Sequence, residues 1–399
     1  MRSLVVGFLP LREGEASVEV TGGIAKMAFR PTLNGSVAMA YRSTSKLIFV
    51  LAFAACTLAL APQPASAAGA AHAAQRKSGA TLKRIAVIDL PGPPGRRFDY
   101  LAIDDEDRYL FSAHLAAGLL YVIDLRTNTV VKTIPDLPGI EGVAYVPELR
   151  KVYTADFWEK KIGVIDLRER RVVKKLPTED KPDGITYAPP FHKAYVSNER
   201  AKAESVIDVR EDKIVKVLRF DSETGVPHYD PMARKVYVNL QDENVLAVID
   251  PATDRVVGRY PVEGCQGNHG MALDPEHHRA FLACQGNDVL TVFNLDSHQA
   301  IAHLPMAKGA DVVAFDPGLG RIYVACSSGA ISVFQEDDRD HFRKLEDFPV
   351  ERKVHSLAVD VHTHRVYAPE EQEGGQPVAR MVIFEAIVGA PAASPEAGR

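Results

Sequence analysis

Seven times along this chain an aromatic residue stands among small or β-branched neighbours at a nearly constant interval. The positions are Phe111, Tyr153, Tyr195, Tyr237, Phe281, Tyr323 and Tyr367, with steps of 42, 42, 42, 44, 42 and 44 residues. A period of about 40–45 residues holding four short strand-like runs is the mark of a β-propeller blade. The repeat overrides the two or three domains that 399 residues would otherwise suggest. The expected fold class is therefore all-β: a seven-bladed β-propeller with four-stranded blades. Propellers are scaffolds, and their chemistry sits in residues at the loop ends, so function has to be sought there.

Each unit follows one plan. An inner strand such as Gly142-Val143-Ala144-Tyr145 leads to a turn containing Pro or Asp. The second strand carries the marker aromatic, as in Val152-Tyr153-Thr154-Ala155. The third reads Val122-Ile123-Asp124, Val164-Ile165-Asp166, Val206-Ile207-Asp208 and Val248-Ile249-Asp250. The fourth, Val130-Val131-Lys132-Thr133-Ile134 in the first unit, alternates as an outer, half-exposed strand should. The seventh unit has strands at 355–360, 365–368 and 381–384 but no fourth one downstream. The segment 84–90, ahead of the first unit, is a strand with no blade of its own. The ring is expected to close by this N-terminal strand completing the last blade, which removes unpaired edges.

These phrases resemble the YVTN-type (YncE-like) family of exported seven-bladed propellers. The resemblance is carried by Phe98-Asp99-Tyr100-Leu101, Lys151-Val152-Tyr153, the Val-Ile-Asp triplets, Asn239-Leu240-Gln241-Asp242 and Thr363-His364-Arg365-Val366-Tyr367. It spans residues 83–388. The Val-Thr-Asn form of the name motif is absent, and Tyr237-Val238-Asn239 is the nearest match. The resemblance implies the propeller fold and export. Such families also include dehydrogenase subunits and a single-stranded DNA binder, but no residue here carries either role across.

Residues 42–67 read as a secretory signal. Arg42 and Lys46 give a positive n-region, 47–60 an apolar run, and Ala65-Ser66-Ala67 a small-residue cleavage site. The run is shorter than the roughly 20 residues a spanning helix needs. Translation from Met39 would give a signal of ordinary length at 39–67, which makes 1–38 an upstream start artefact. A linker at 68–82, the propeller at 83–388 and a disordered Ala/Pro-rich tail at 389–399 complete the expected organisation. The mature protein is then periplasmic or secreted, without a membrane span, and expected to be a monomer. Net charge is −5, and no Lys/Arg block offers a footprint for nucleic acid.

Candidate chemistry emerges when the units are aligned on the large residue of the first strand: Ile103, Tyr145, Tyr187, Tyr229, Leu273, Phe315 and Val359. Four positions earlier stand Asp99, Glu141, Asp183, Gly225, His269, Asp311 and His355. The first strand of a blade is innermost, so these side chains should ring one mouth of the central channel. Asp and Glu at strand starts commonly cap free backbone N–H groups. The alternative is a ligand site, with Asp99, Asp183, His269, Asp311 and His355 as possible ligands for Ca²⁺, Mg²⁺, Mn²⁺ or Zn²⁺. Without a cation, crowded carboxylates should raise one another's pKa values.

One position before the large residue stand Ala102, Ala144, Thr186, His228, Ala272, Ala314 and Ala358. His228 is first read as a core histidine with a hydrogen-bond partner, and second as a channel-lining residue. Loops between second and third strands should open on the same face. They bring His114, Asp156, Trp158, Asn198, Arg200 and Gln285, with Trp158 a possible binding anchor. His277-His278 and His362-Thr363-His364 fall in turns on the opposite face and read as solvated.

Removal of Cys56 with the signal would leave Cys265, Cys284 and Cys326. In an oxidising compartment Cys265–Cys284 is the favoured pair, as in similar propellers, with Cys284–Cys326 its competitor. The chain has no G-x-S-x-G, H-E-x-x-H, C-x-x-C-H or Walker loop. The leading expectation is an exported binding module that takes a small polar ligand, or a protein or glycan partner, at the polar channel mouth. The alternatives are a metal-dependent hydrolase or lactonase using the same ring and, third, an electron-transfer subunit associated with a dehydrogenase.

Overall fold

The computed structural model describes residues 80–388 together with two short stretches, Val18–Thr21 and Ile24–Met27, which pair as an antiparallel hairpin. The signal at 39–67, the tail at 389–399 and most of the 68–82 linker lie outside the described residues. Leu82 is already the first residue of a strand.

Residues 80–388 form seven four-stranded antiparallel sheets arranged as the blades of a propeller. Blade 1 is built from Leu101–Asp104, Tyr109–His114, Leu119–Asp124 and Thr129–Ile134. Blades 2 to 6 repeat this meander at 140–177, 182–219, 224–261, 268–305 and 310–349. Blade 7 takes Ala358–Asp360, Arg365–Glu373 and Gln376–Ala386 from the C-terminal end. Its fourth strand is Leu82–Asp89, paired antiparallel with Gln376–Ala386 from Leu82↔Ala386 to Asp89↔Arg380. One sheet thus joins the two ends of the ring and leaves no blade incomplete.

The marker aromatics explain why blades stack. All seven are buried, none more than 6% exposed, and they lie in the apolar clusters between neighbouring sheets. Two of them also clamp the next blade. Tyr195 donates to Asp254 Oδ1 at 2.7 Å, and Lys193 Nζ pairs with Asp254 Oδ2 at 2.7 Å. One blade earlier Tyr153 and Lys151 hold Asp212 in the same way. Asp212 and Asp254 occupy left-handed turn positions (φ 49 and 50), which Asp tolerates because its short side chain bonds locally. Across the closure Tyr367 donates to Asn128 Oδ1 at 3.3 Å, at the equivalent turn of blade 1.

The start of the inner strand breaks this regularity. In blades 2 to 6 the pairing of first and second strands skips at 140/143, 182/185, 224/227, 268/271 and 310/313. Each skip contains a ring position: Glu141, Asp183, Gly225, His269 or Asp311. Such bulges re-aim side chains next to functional sites. The backbones crowd closely here. A Cβ on Gly142 would lie 2.0 Å from Asp183 O, and one on Gly270 would lie 1.8 Å from Asp311 O. Glycine is required at both places because the carbonyl of the next blade occupies the space.

Candidate functional site at the channel mouth

The bulged strand starts bring Glu141, Asp183, His269 and Asp311, together with Asp99 from the segment before the blade 1 inner strand, around one polar cavity of about 270 Å³. His355, Asp311 and Arg97 border a second one, of about 410 Å³. Asp99, Glu141, Asp183, His269 and His355 are buried and Asp311 half-buried. Below the mouth the channel turns apolar, a stretch of about 340 Å³ walled by residues such as Ile103, Val143, Ile185 and Val313. Tyr100 borders both regions, its hydroxyl 3.2 Å from His269 Nε2.

The ring contains two acid–imidazole pairs. His269 Nε2 lies 3.2 Å from Asp311 Oδ1, and His355 Nε2 lies 3.8 Å from Asp99 Oδ2. Burial opposes charge on both imidazoles, but the carboxylates prevail. His269 is raised, and His355 is raised to about 9. Burial also works against the Asp311 carboxylate, yet hydrogen bonding and attraction from His269 hold it at about 2. For Glu141 and Asp183 burial prevails instead, although His269 draws Asp183 back down. Burial, then repulsion from Asp183 and Asp99, pushes Glu141 up to about 10, and burial lifts Asp183 to about 6. Among the described residues, Glu141 Oε2 and His269 Nδ1 are buried without any hydrogen-bond partner. Leaving such groups unpaired costs roughly 1–3 kcal/mol each.

Two further tiers at the mouth escape a reading of the inner strands alone. Arg97, Lys181 and Lys353 stand two residues before Asp99, Asp183 and His355. Each forms an ion pair: Arg97 with Asp99 at 3.4 Å, Lys181 with Glu199, and Lys353 with Glu371 at 2.8 Å. Glu199 and Glu371 belong to a second ring, four residues beyond the marker aromatic, which also includes Gln241, Gln285 and Ser327 and lines the same two cavities. The signal was present in the sequence, because these positions share the 42- and 44-residue steps. They had to be seen as polar loop ends rather than as strand residues. Asp183, Glu199 and His269 each place one ligand-type atom within 4.8 Å of the other two, the spacing of a possible metal triad.

The other candidates are placed elsewhere. His114 is fully buried and stacked on Phe98 with ring centroids 3.9 Å apart. Its Nδ1 meets Tyr121 Oη at 2.9 Å and its Nε2 meets Arg96 O at 3.2 Å. Burial lowers it to about 4, so it serves as a neutral core side chain. His228 shows the second of its two expected roles: it lines the apolar channel, where burial lowers it to about 4. Trp158 is 56% exposed on the short turn Phe157–Glu159, outside both mouth cavities.

Cys265 and Cys284 form a disulfide with Cα atoms 5.4 Å apart, joining the segment before the blade 5 inner strand to the end of the second strand. Cys326 is a free, buried thiol, so the competing pair is not formed. The turn histidines are 36–59% exposed, as solvated turn residues are, and they also face carboxylates. His364 Nδ1 lies 2.8 Å from Asp316 Oδ2, His278 Nδ1 lies 2.7 Å from Asp296 Oδ1, and His277 meets two buried carboxylates. They do so because each turn abuts carboxylates at the ends of neighbouring strands.

No protein-family model matches the chain, and no curated protein sequence does. Solved structures resemble it in fold. Hydrazine synthase of Kuenenia stuttgartiensis is 16% identical, covering 71% of this chain and 94% of that one, with a TM-score of 0.61. U3-55K is 12% identical over 77% and 99% of the two chains, with a TM-score of 0.63. The WD40 repeats of RRP9 are 13% identical over 76% and 100%, with a TM-score of 0.64. At these identities the likeness is one of fold, and the chain is a seven-bladed β-propeller.

Proposed function

We propose that this protein is an exported binding propeller whose channel mouth takes a small polar ligand bearing a cationic group. The observation that carries the reading is the buried, unpartnered Glu141 Oε2 in a cavity dominated by carboxylates. A positive group seated there would satisfy Glu141, relieve its repulsion from Asp183 and Asp99, and offset a cost the fold otherwise bears. The ion pairs of Arg97, Lys181 and Lys353 close the rim and would have to shift to admit it. Export is supported by the apolar run at 47–60 and by the Cys265–Cys284 disulfide. Among the described residues no helix is long and apolar enough to cross a membrane.

The test is a thermal-shift screen at pH 7 with Ca²⁺, Mg²⁺, Mn²⁺, Zn²⁺ and small organic ammonium compounds, alongside elemental analysis of chelator-free protein. A stabilising ligand whose effect disappears in Asp183→Asn supports the reading. No shift with any of them, and no bound metal, would end it and turn the search to protein and glycan partners.

A second reading, a metal-dependent hydrolase or lactonase, is favoured by one observation: the convergence of Asp183, Glu199 and His269. A divalent ion held there could polarise a carbonyl and activate water. Hydrolysis of an ester or lactone panel, abolished by chelation and by His269→Ala, is the expected result on that reading.

A further inference from the structure

The opposite face of the propeller holds a second cluster of different construction. Asp274 ends the blade 5 inner strand, His277 lies in the turn after it, and Glu336 sits in the third strand of blade 6, Ala330–Asp338. His277 Nδ1 is 2.8 Å from Asp274 Oδ2 and 3.0 Å from Glu336 Oε1. The two carboxylate side chains are 4% and 3% exposed, whereas the imidazole is 40% exposed. Among the described residues Glu336 Oε2 has no hydrogen-bond partner.

The repeat shows what this junction looks like when its only task is packing. The equivalents of Asp274, His277 and Glu336 at the blade 2–blade 3 junction are Val146, Leu149 and Val209, which sit in one apolar cluster. Glu336 itself replaces residues that elsewhere are Leu125, Leu167, Val209, Pro251, Leu295 and Ala386. Blade packing therefore does not call for a carboxylate at this position. Asp stands at the Asp274 position in five of the seven blades, where here its Oδ1 caps the turn that follows, so what sets this junction apart is that the Asp is joined by an imidazole at 277 and a carboxylate at 336.

The neighbourhood also holds the turn in place and leaves the negative charge uncompensated. Arg279 is buried, but its guanidinium is engaged elsewhere. It donates to the carbonyls of His277 (2.9 Å), His278 (3.1 Å) and Arg339 (2.8 Å) and pairs with Asp340 at 3.0 Å. It fixes the backbone that presents His277 without neutralising Asp274 or Glu336. Two carboxylates then share one imidazole, and with both of them ionised even an imidazolium leaves a net negative charge in a buried place.

We infer that Asp274, His277 and Glu336 bind a first-row divalent cation at the blade 5–blade 6 junction. Two carboxylate oxygens and one imidazole nitrogen suit Zn²⁺ or Mn²⁺ better than an all-oxygen Ca²⁺ site. Water beside the exposed edge of His277 completes the coordination. The ion ties the blade 5 turn to blade 6 at the place where blades 2 and 3 meet through Val146, Leu149 and Val209.

The experiment uses the full chain carrying Asp183→Asn and His269→Ala, so that the channel mouth contributes no metal. The protein is treated with EDTA, exchanged into chelator-free buffer and titrated with Co²⁺, then Zn²⁺. One equivalent of Co²⁺ with visible d–d absorption, displaced by Zn²⁺, is expected. Adding Glu336→Leu or His277→Leu, residues that stand at these places in other blades, should abolish the bands and the bound equivalent. Glu336→Gln serves as a second, isosteric variant should the leucine variant not fold. Absence of Co²⁺ binding, or bands that survive both the His277 and the Glu336 variants, would overturn the assignment and leave a buried ion pair.

Discussion

Two rings of equivalent positions run through the seven blades. One holds the marker aromatics, all Phe or Tyr and all buried between sheets. The other holds Asp99, Glu141, Asp183, Gly225, His269, Asp311 and His355, four residue types at equivalent positions facing the channel. Both rings are produced by the same repeat and the same strand pairing. A position whose task is to fill the space between two sheets settles on one solution, because interiors are close-packed and sensitive to volume. A position at a bulge facing a cavity is released from that constraint. Here it has collected titratable groups at the expense of stability, and the aromatic ring supplies the packing that offsets the cost.

The largest effect should come from breaking the packing ring. Phe281→Ala removes a fully buried ring that lies 5.0 Å from Phe315 and 6.1 Å from Phe342 between centroids. Denaturant unfolding at pH 7 should show a loss of about 3–5 kcal/mol. A loss under about 1 kcal/mol would mean that the aromatic ring is not what holds the blades.

The mouth ring should respond with the opposite sign. Glu141 is raised to about 10 in the folded protein, while an unfolded Glu ionises near 4.5. The folded state therefore keeps a proton that the unfolded state has lost, and stability falls as pH rises between those values. Glu141→Gln should stabilise the protein by on the order of 2–3 kcal/mol at pH 7 and by nothing at pH 4. A loss of stability at pH 7 would show instead that a bound cation holds Glu141 ionised.

His355 provides the contrasting case within the same ring. Despite burial, Asp99 lifts it to about 9, so its contribution is fully present below the unfolded value near 6.5 and disappears as pH rises through about 9. His355→Gln should cost on the order of 2 kcal/mol at pH 6 and nothing above pH 10. Unfolding curves at the two pH values, with an NMR titration of the imidazole, would read this. An equal cost at both would assign His355 a packing role.

The smallest effect should come from Trp158→Ala, since this residue lies outside both rings and is 56% exposed. Its removal should change stability by no more than about 0.5 kcal/mol. A larger loss would place Trp158 in the packing scaffold despite its exposure.

Blade number, strand order and the strand that closes blade 7 were legible in the sequence because each depends on short-range periodicity repeated seven times. The ring from Asp99 to His355 was legible for the same reason: a fixed offset from a fixed landmark. Glu199 and Arg97 follow the same steps but sit in loops, where no apolar alternation marks which way a side chain points. His114 and His228 show the converse limit. One occupies the end of a strand and the other an inner strand, yet the first is enclosed by Phe98, Tyr121 and Arg96 and the second faces the channel.

The repeat, then, determined the architecture by itself, since period and alternation are local properties that seven copies reinforce. Only the tertiary structure decided which polar residues meet: Glu141 with Asp183 and Asp99, His269 with Asp311, and Asp274 and His277 with Glu336. Each of these encounters joins residues of different blades, and their charges depend on burial and distances that exist only once the ring is closed.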